Sequence, residues 1–237
     1  MSLYDHPDFF DSYAQMSRSQ FGLDGAGEWQ QFQKLFPDLK GKTVLDLGCG
    51  YGWHSKYAVQ MGAEAVTAID ASAKMIETAK AKNADDRIDY RVCDLRAFDY
   101  DENTCDVVIS NLVLHYIEDL DEIYQKVFSC LKSGGSFLFN IEHPTFTAGV
   151  GQEWITDENG RPLYWPVDDY FYPTLRETVF LGHKVEKYHH TLTQILMGLK
   201  HTGFTLEAVE DALPPPNPDF HDEMRRPMML LVRADKP

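Results

Sequence analysis

Three aspartates, Asp46, Asp70 and Asp94, recur at intervals of 24 residues, and a run of alternating glycines, Gly48-Cys49-Gly50-Tyr51-Gly52, follows the first. Carboxylates in such a series can accept hydrogen bonds from the hydroxyl, amino or ammonium groups of an organic ligand. Closely spaced glycines let the chain turn sharply and bring backbone N–H groups, with a helix N-terminus, against that ligand. Histidines at positions 115, 143, 189 and 190 add groups that can exchange a proton near neutral pH. His54, directly after the glycine run, equally suits a helix cap.

The spacing narrows the choice of ligand. A dinucleotide fingerprint has the form Gly-x-Gly-x-x-Gly. Here the pattern is Gly-x-Gly-x-Gly, and its sixth position is Trp53, too bulky for close helix–strand packing. A phosphate loop ending in Gly41-Lys42-Thr43 would need glycine at position 36, which is Phe36. Asp46, two residues before the first glycine, would repel a pyrophosphate but could hold a ligand carrying an ammonium group. Singly, each aspartate also suits a helix cap or a turn. Three in register after a glycine turn are harder to explain that way.

These residues resemble the first motif of the class I S-adenosylmethionine-dependent methyltransferases, acid-x-Gly-x-Gly-x-Gly. The resemblance covers about residues 43–141 and continues more loosely to the C-terminus. It implies S-adenosylmethionine as cofactor, with Asp46 at its amino-acid end and backbone contacts from Gly48, Cys49 and Gly50. Asp70 would accept the ribose hydroxyls, Ala71 and Met75 would pack near the ribose and adenine, and Asp94 with the Leu95 N–H would take the adenine amino group. Asn111 and Leu112 would meet the methionine end. An N-terminal arm commonly covers the cofactor cleft in this family, which makes Tyr13 and Arg18 candidate contacts. Where base-methylating members carry a Pro-Pro pair, this chain reads Ser110-Asn-Leu-Val-Leu-His115-Tyr116. It is therefore similar to the small-molecule branch, which includes the quinone-biosynthesis methyltransferases.

The elements that must position these groups follow from hydrophobic periodicity. Apolar runs at 43–47, 66–69, 88–92, 106–110 and 136–141 read as buried strands, alternating with helices after the glycine turn and at 72–82 and 119–131. Ser72 suits an N-cap, and Lys132-Ser-Gly-Gly135 closes the third helix. A helix over 188–201 ends at Gly203. Two last strands, 204–209 and 228–232, flank the Pro214–Pro218 connector. This order specifies a doubly wound α/β fold with a mainly parallel seven-stranded sheet, the Rossmann-like methyltransferase fold, in a single domain. Residues 1–40 form an N-terminal helical arm, with helices around Phe9–Met16 and Glu28–Phe36 and a loop over Ser17–Gly27. Residues 41–142 are the cofactor-binding core, and 188–237 a C-terminal helix with closing strands. Residues 143–187, rich in aromatics and interleaved with prolines, lack clear periodicity and read as an inserted lid.

Composition sets the outer bounds. The chain has 237 residues, 43% of them hydrophobic, and a formal net charge of −15. An acidic surface repels a phosphate backbone, which disfavours nucleic acid as partner. No apolar run approaches the roughly 18 residues that span a bilayer, and no leader-like segment opens the chain. Four cysteines without paired spacing read as reduced thiols of a cytoplasmic protein. The oligomeric state is left open.

The expected activity is methyl transfer to an O or N atom of a small acceptor. Such a transfer needs a base only when the acceptor must lose a proton. His115 and His143 are the candidate catalytic residues, His143 because it ends the fifth strand, with Tyr13 and Tyr116 as hydroxyl partners. The alternatives are a non-catalytic protein binding S-adenosylmethionine or S-adenosylhomocysteine, and a nicotinamide-dependent oxidoreductase, which Trp53 disfavours. Glu186-x-x-His189 and the Asp219–Glu223 cluster contain metal-ligand types but no partner at recognised spacing, so no metal is expected.

Overall fold

A computed structural model describes residues 2–214 and 221–237; residues 215–218 of the proline connector and 219–220 of the acidic cluster lie outside them. The arm starts with a 3₁₀ turn, Leu3–Asp5, and continues through α1 (Pro7–Ala14), α2 (Ser17–Phe21) and α3 (Trp29–Phe32). Pro7 opens α1 at its first turn, where a missing N–H costs nothing. The expected loop over Ser17–Gly27 is in fact helical in its first five residues. The glycines suggested a loop, but long-range contacts outweigh local propensity here: Ser19 is buried and Arg18 makes a two-pronged ion pair with Glu28.

The core alternates as expected: β1 (Thr43–Leu47), α4 (Trp53–Gln60), β2 (Ala65–Asp70), α5 (Ala73–Lys82), β3 (Ile88–Val92) and β4 (Cys105–Asn111), then α6 (Leu120–Cys130) and β5 (Leu131–Glu142). Ser72 and Asp119 cap α5 and α6 by accepting from the Met75 and Glu122 N–H groups. A short helix, α7 (Pro144–Thr147), precedes two antiparallel hairpins, β6 (Ile155–Thr156) with β7 (Pro162–Tyr164) and β8 (Leu175–Phe180) with β9 (His183–Tyr188). The chain closes with α8 (Leu192–Thr202), β10 (Thr205–Asp211) and β11 (Met229–Asp235).

Two expectations change here. The 143–187 stretch is not aperiodic, because β8 and β9 form a six-residue ladder around Leu181-Gly182, both at positive φ as a tight hairpin turn requires. Leucine is an unusual first residue for such a turn, which hides it in the sequence. The helix expected from Tyr188 starts at Leu192, since Tyr188 ends β9 and Thr191 makes a capping box with Gln194.

The seven-stranded sheet runs β10-β11-β5-β4-β1-β2-β3, parallel except where β11 meets β5 and β10. Strand order reverses between β4 and β1, which opens a crevice at their carboxyl ends. Two-residue alternation sends Leu45 and Leu47 to the core under α6 and α8, and Val44 to the opposite core under α4. Asp46 shares the Val44 face, and this decides its fate below. None of the described helices is long and apolar enough to cross a membrane.

Gly52 caps α4 at φ 77°, and a β-carbon there would overlap the Tyr90 hydroxyl. Gly52→Ala should therefore lower unfolding stability by about 2 kcal/mol or more, from left-handed strain plus overpacking. Urea denaturation of the two proteins measures the difference.

Candidate active site

A cavity of about 1110 Å³ opens at the carboxyl ends of β1, β2, β3, β4 and β5. Pockets for a drug-sized ligand usually run to roughly 300–1,000 Å³, so this one lies at the upper end of that range. Its floor is the glycine turn. Gly50 has φ 53°, and a β-carbon built there would find no atom within 4 Å, so its backbone lies open to a ligand. The Gly50 N–H donates to Asp70 Oδ2 (2.9 Å), and the Ser72 N–H donates to Asp70 Oδ1 (2.8 Å). Asp70 thus ties the glycine turn to the start of α5, and burial raises its carboxyl to about 6.

Of the residues expected at the cofactor, Gly48, Cys49, Gly50, Asp70, Ala71 and Met75 all line this cavity. So do Asp94, Leu95, Asn111 and Leu112 along the wall, and Tyr13 and Arg18 from the arm. Asp94 pairs with Arg96 (2.5 Å), whose hydrogen bonds hold its carboxyl below the ordinary range. Asn111 accepts from Asn140 Nδ2 (3.0 Å), and Asn140 also donates to Glu28 (3.3 Å), linking the β4 end to the Arg18–Glu28 pair. Leu112 sits at φ 57°, a strained conformation for leucine of the kind that clusters at functional sites.

Asp46 does not line the cavity. The alternation of β1 turns it under α4, where it is 1% exposed and accepts from Ser55 Oγ (2.6 Å). Burial raises its carboxyl to about 7. It braces the glycine turn from below, outside the cavity lining.

The two candidate bases separate clearly. His115 is buried in a 3₁₀ turn, Leu114–Tyr116, lines the cavity, and its Nδ1 has no hydrogen-bond partner among the described residues. Burial lowers its pKa to about 4, so the imidazole is neutral at pH 7. His143 is outside the cavity lining and fully engaged: Nδ1 accepts from the Thr145 N–H (3.0 Å), and Nε2 faces Asp211 (3.2 Å). It serves as the N-cap of α7. His189 and His190 also hold structural bonds, to Thr147 and Tyr170 and to the Ile117 carbonyl. His54 lines the cavity among Trp29 and Phe32, and burial lowers it to about 3.

Sequence reasoning missed several groups. Beside His115, Glu142 at the end of β5 pairs with Lys187 of β9 (2.5 Å) and accepts from Gln152 Nε2 (3.0 Å). Burial works to raise the Glu142 carboxyl, but the positive charge of Lys187 and the hydrogen bonds from Lys187 and Gln152 outweigh it and hold the group below its ordinary range. Tyr4 of the arm reaches Tyr116, hydroxyl to hydroxyl, at 3.3 Å and meets Tyr13 edge-on. Asp5 anchors this stretch by accepting from Ser72 Oγ (2.7 Å) and the Lys74 N–H (3.2 Å). Trp53, which breaks the dinucleotide pattern, lines the cavity with a buried Nε1 that lacks a partner. The aromatic periodicity of the arm could have pointed to Tyr4; nothing local marks Lys187 or Gln152. No described cluster of His, Cys, Asp and Glu has the makings of a metal site.

Comparison with known proteins bears on this geometry. The profile of a family described as Methyltransferase domain matches residues 45–139. A solved structure from Listeria monocytogenes, assigned as an S-adenosylmethionine dependent methyltransferase, is 45% identical with a TM-score of 0.87, covering 91% of this chain and 99% of its own. An S-adenosylmethionine dependent methyltransferase from Mesorhizobium loti is 37% identical with a TM-score of 0.84, covering 91% and 100%. The ubiquinone biosynthesis O-methyltransferase of Coxiella burnetii is 31% identical over 123 residues, 49% of this chain and 52% of that protein. The chain thus spans about half the length of that relative. The protein belongs to the S-adenosylmethionine-dependent methyltransferases. It is an enzyme of the Rossmann-like methyltransferase fold, and S-adenosylmethionine is its cofactor.

The residues present fit that cofactor. The open backbone at Gly50, the strand-end carboxylate of Asp70 and the unpartnered Trp53 Nε1 are groups an adenosyl amino acid can use. With its carboxyl near 6, Asp70 is an acceptor above that pH and loses the role below it. S-adenosylhomocysteine affinity should accordingly be flat from pH 7 to 8 and fall as pH drops through about 6. Asp70→Asn should weaken binding at least roughly tenfold at pH 7.5 and flatten that dependence. Calorimetry across pH reads both effects.

Proposed function

We propose that the protein moves a methyl group from S-adenosylmethionine to an oxygen or nitrogen of a small molecule held in the same cavity. The observation that carries this reading is the continuity of the cavity. A strand-end carboxylate and a buried, neutral, unpartnered imidazole line the same cavity, with Tyr4 between them near both. On this reading Asp70 accepts from the ribose, Ala71 and Met75 pack beside it, and Asp94 with the Leu95 N–H meets the adenine. Gly48, Cys49 and Gly50 support the amino-acid portion, with Asn111, Leu112, Tyr13 and Arg18 around it.

When bound, the cofactor supplies a methyl carbon activated by its positive sulfur; the bond to the acceptor forms as the carbon–sulfur bond breaks and its electron pair returns to sulfur. The protein's task is then to align the acceptor and exclude water. The arm, docked through Asp5, and the β8–β9 hairpin, docked through Lys187, act as covers over the two ends. His115 receives the acceptor's proton: the imidazole is free of a proton at pH 7, and the neighbouring Glu142 carboxylate favours the imidazolium that forms. Tyr4 and Tyr116 orient the acceptor beside it.

The charge balance of the chain and the pairing of every cation in the cavity support a small-molecule acceptor over nucleic acid. Four unpaired cysteines support a reducing, cytoplasmic setting.

Calorimetry with S-adenosylmethionine, followed by transfer of an isotopically labelled methyl group to a panel of small acceptors, tests the proposal. His115→Ala should lower kcat by roughly 10²–10⁴-fold, the usual range for losing a positioned proton acceptor, with S-adenosylhomocysteine affinity unchanged. Unchanged turnover in that variant would remove His115 from the chemistry.

A further inference from the structure

We infer that the acceptor is an uncharged, ring-bearing hydroxyl compound. This deepens the reading above and rests on it. The argument is a charge inventory of the cavity. Among the described residues four cations line it, and each stands in an ion pair: Arg18 with Glu28 (3.1 Å), Arg96 with Asp94 (2.5 Å), Lys184 with Glu177 (2.9 Å) and Lys187 with Glu142 (2.5 Å). Among the described lining cations, Lys187 is the one whose charge acts on His115, and its side chain is 4% exposed; Arg226 lies outside the lining, over the rings of Phe146, Trp154 and Trp165. A carboxylate or phosphate on the acceptor could claim Lys187 only by displacing Glu142. That would leave a largely buried carboxylate without its counter-charge, which is strongly unfavourable.

The same inventory disfavours a cationic acceptor. One Glu142 oxygen is held by Lys187 and the other accepts from Gln152. Asp70 lies at the cofactor end with both oxygens accepting backbone N–H groups, and Glu186 is exposed at the rim. An ammonium beside His115 would meet only a carboxylate already neutralised by Lys187. What the acceptor end does offer is neutral: the His115 imidazole, the hydroxyls of Tyr4 and Tyr116, and apolar side chains of Phe180 and Met228. A hydroxyl can donate to the imidazole while a flat ring packs against the aromatic walls.

The charge assignment can be tested without knowing the natural acceptor. The full chain, saturated with S-adenosylhomocysteine, is titrated calorimetrically with four single-ring probes: catechol, benzoate, phenyl phosphate and benzylamine. Catechol should bind at least roughly tenfold more tightly than each charged probe. Two variants invert the inventory. Glu142→Gln frees Lys187 and should gain benzoate binding, while Lys187→Met frees Glu142 and should gain benzylamine binding. Equal or tighter binding of a charged probe to the wild type, no binding of catechol, or unaltered preference in both folded variants would each overturn the inference. If a variant fails to fold, the wild-type series still decides. If S-adenosylhomocysteine itself fails to bind, the underlying reading falls and takes this one with it, an outcome distinct from loss of probe selectivity.

Discussion

One carboxylate organises the working end of this molecule. Asp70 ends β2 and accepts two backbone hydrogen bonds, one from Gly50 in the glycine turn and one from Ser72 at the start of α5. Through them the turn after β1 and the helix after β2 are held at a common height above the sheet. The arm then docks on the same helix start, with Asp5 accepting from Ser72 and Lys74. Strand order, glycine turn, helix cap and arm converge on one side chain, and burial in that crowded position raises its pKa. Each of its oxygens carries one backbone bond, which leaves lone pairs for a further donor.

The other end of the cavity depends on a second charge, held differently. Glu142 belongs to the sheet, Lys187 to a hairpin inserted far along the chain, and Gln152 to the segment between them. A buried ion pair is weak evidence for stability, because desolvating both partners offsets much of their attraction. Here it joins the hairpin to the sheet and leaves the wall beside His115 electrically neutral. Methyl transfer suits such surroundings: the cofactor brings the charge that drives the reaction, and a neutral wall does not compete for it. That division separates one part of the cavity, rich in backbone donors and strand-end acids, from another built of phenols, an imidazole and a closed ion pair.

The legible part of this arrangement was the part written in covalent spacing. Asp70 and Asp94 follow strands of one repeating strand–helix unit, so their intervals alone put them on one rim. Asp46 shares that interval but not the outcome, because two-residue alternation in β1 turns it toward Ser55 beneath the glycine turn. The position of His143 at a strand end promised a place on the rim, yet the following proline starts a helix there and the imidazole caps it. Lys187 and Gln152 could not be read locally, and the arm's aromatic periodicity gave Tyr4 no partner. Their roles come from the docking of a hairpin and an arm onto the sheet, and a hairpin turning on Leu181-Gly182 carries no strong turn signal. Regular alternation of strand and helix was visible; contacts between segments a hundred residues apart were not.

The most direct test of the account is a crystal structure of the protein with S-adenosylhomocysteine bound. The account predicts the ribose hydroxyls on Asp70, the amino-acid chain along Gly48–Gly50, and the sulfur directed toward His115 and Tyr116. A ligand lying with its adenine against His115, or with its ribose away from Asp70, would contradict it.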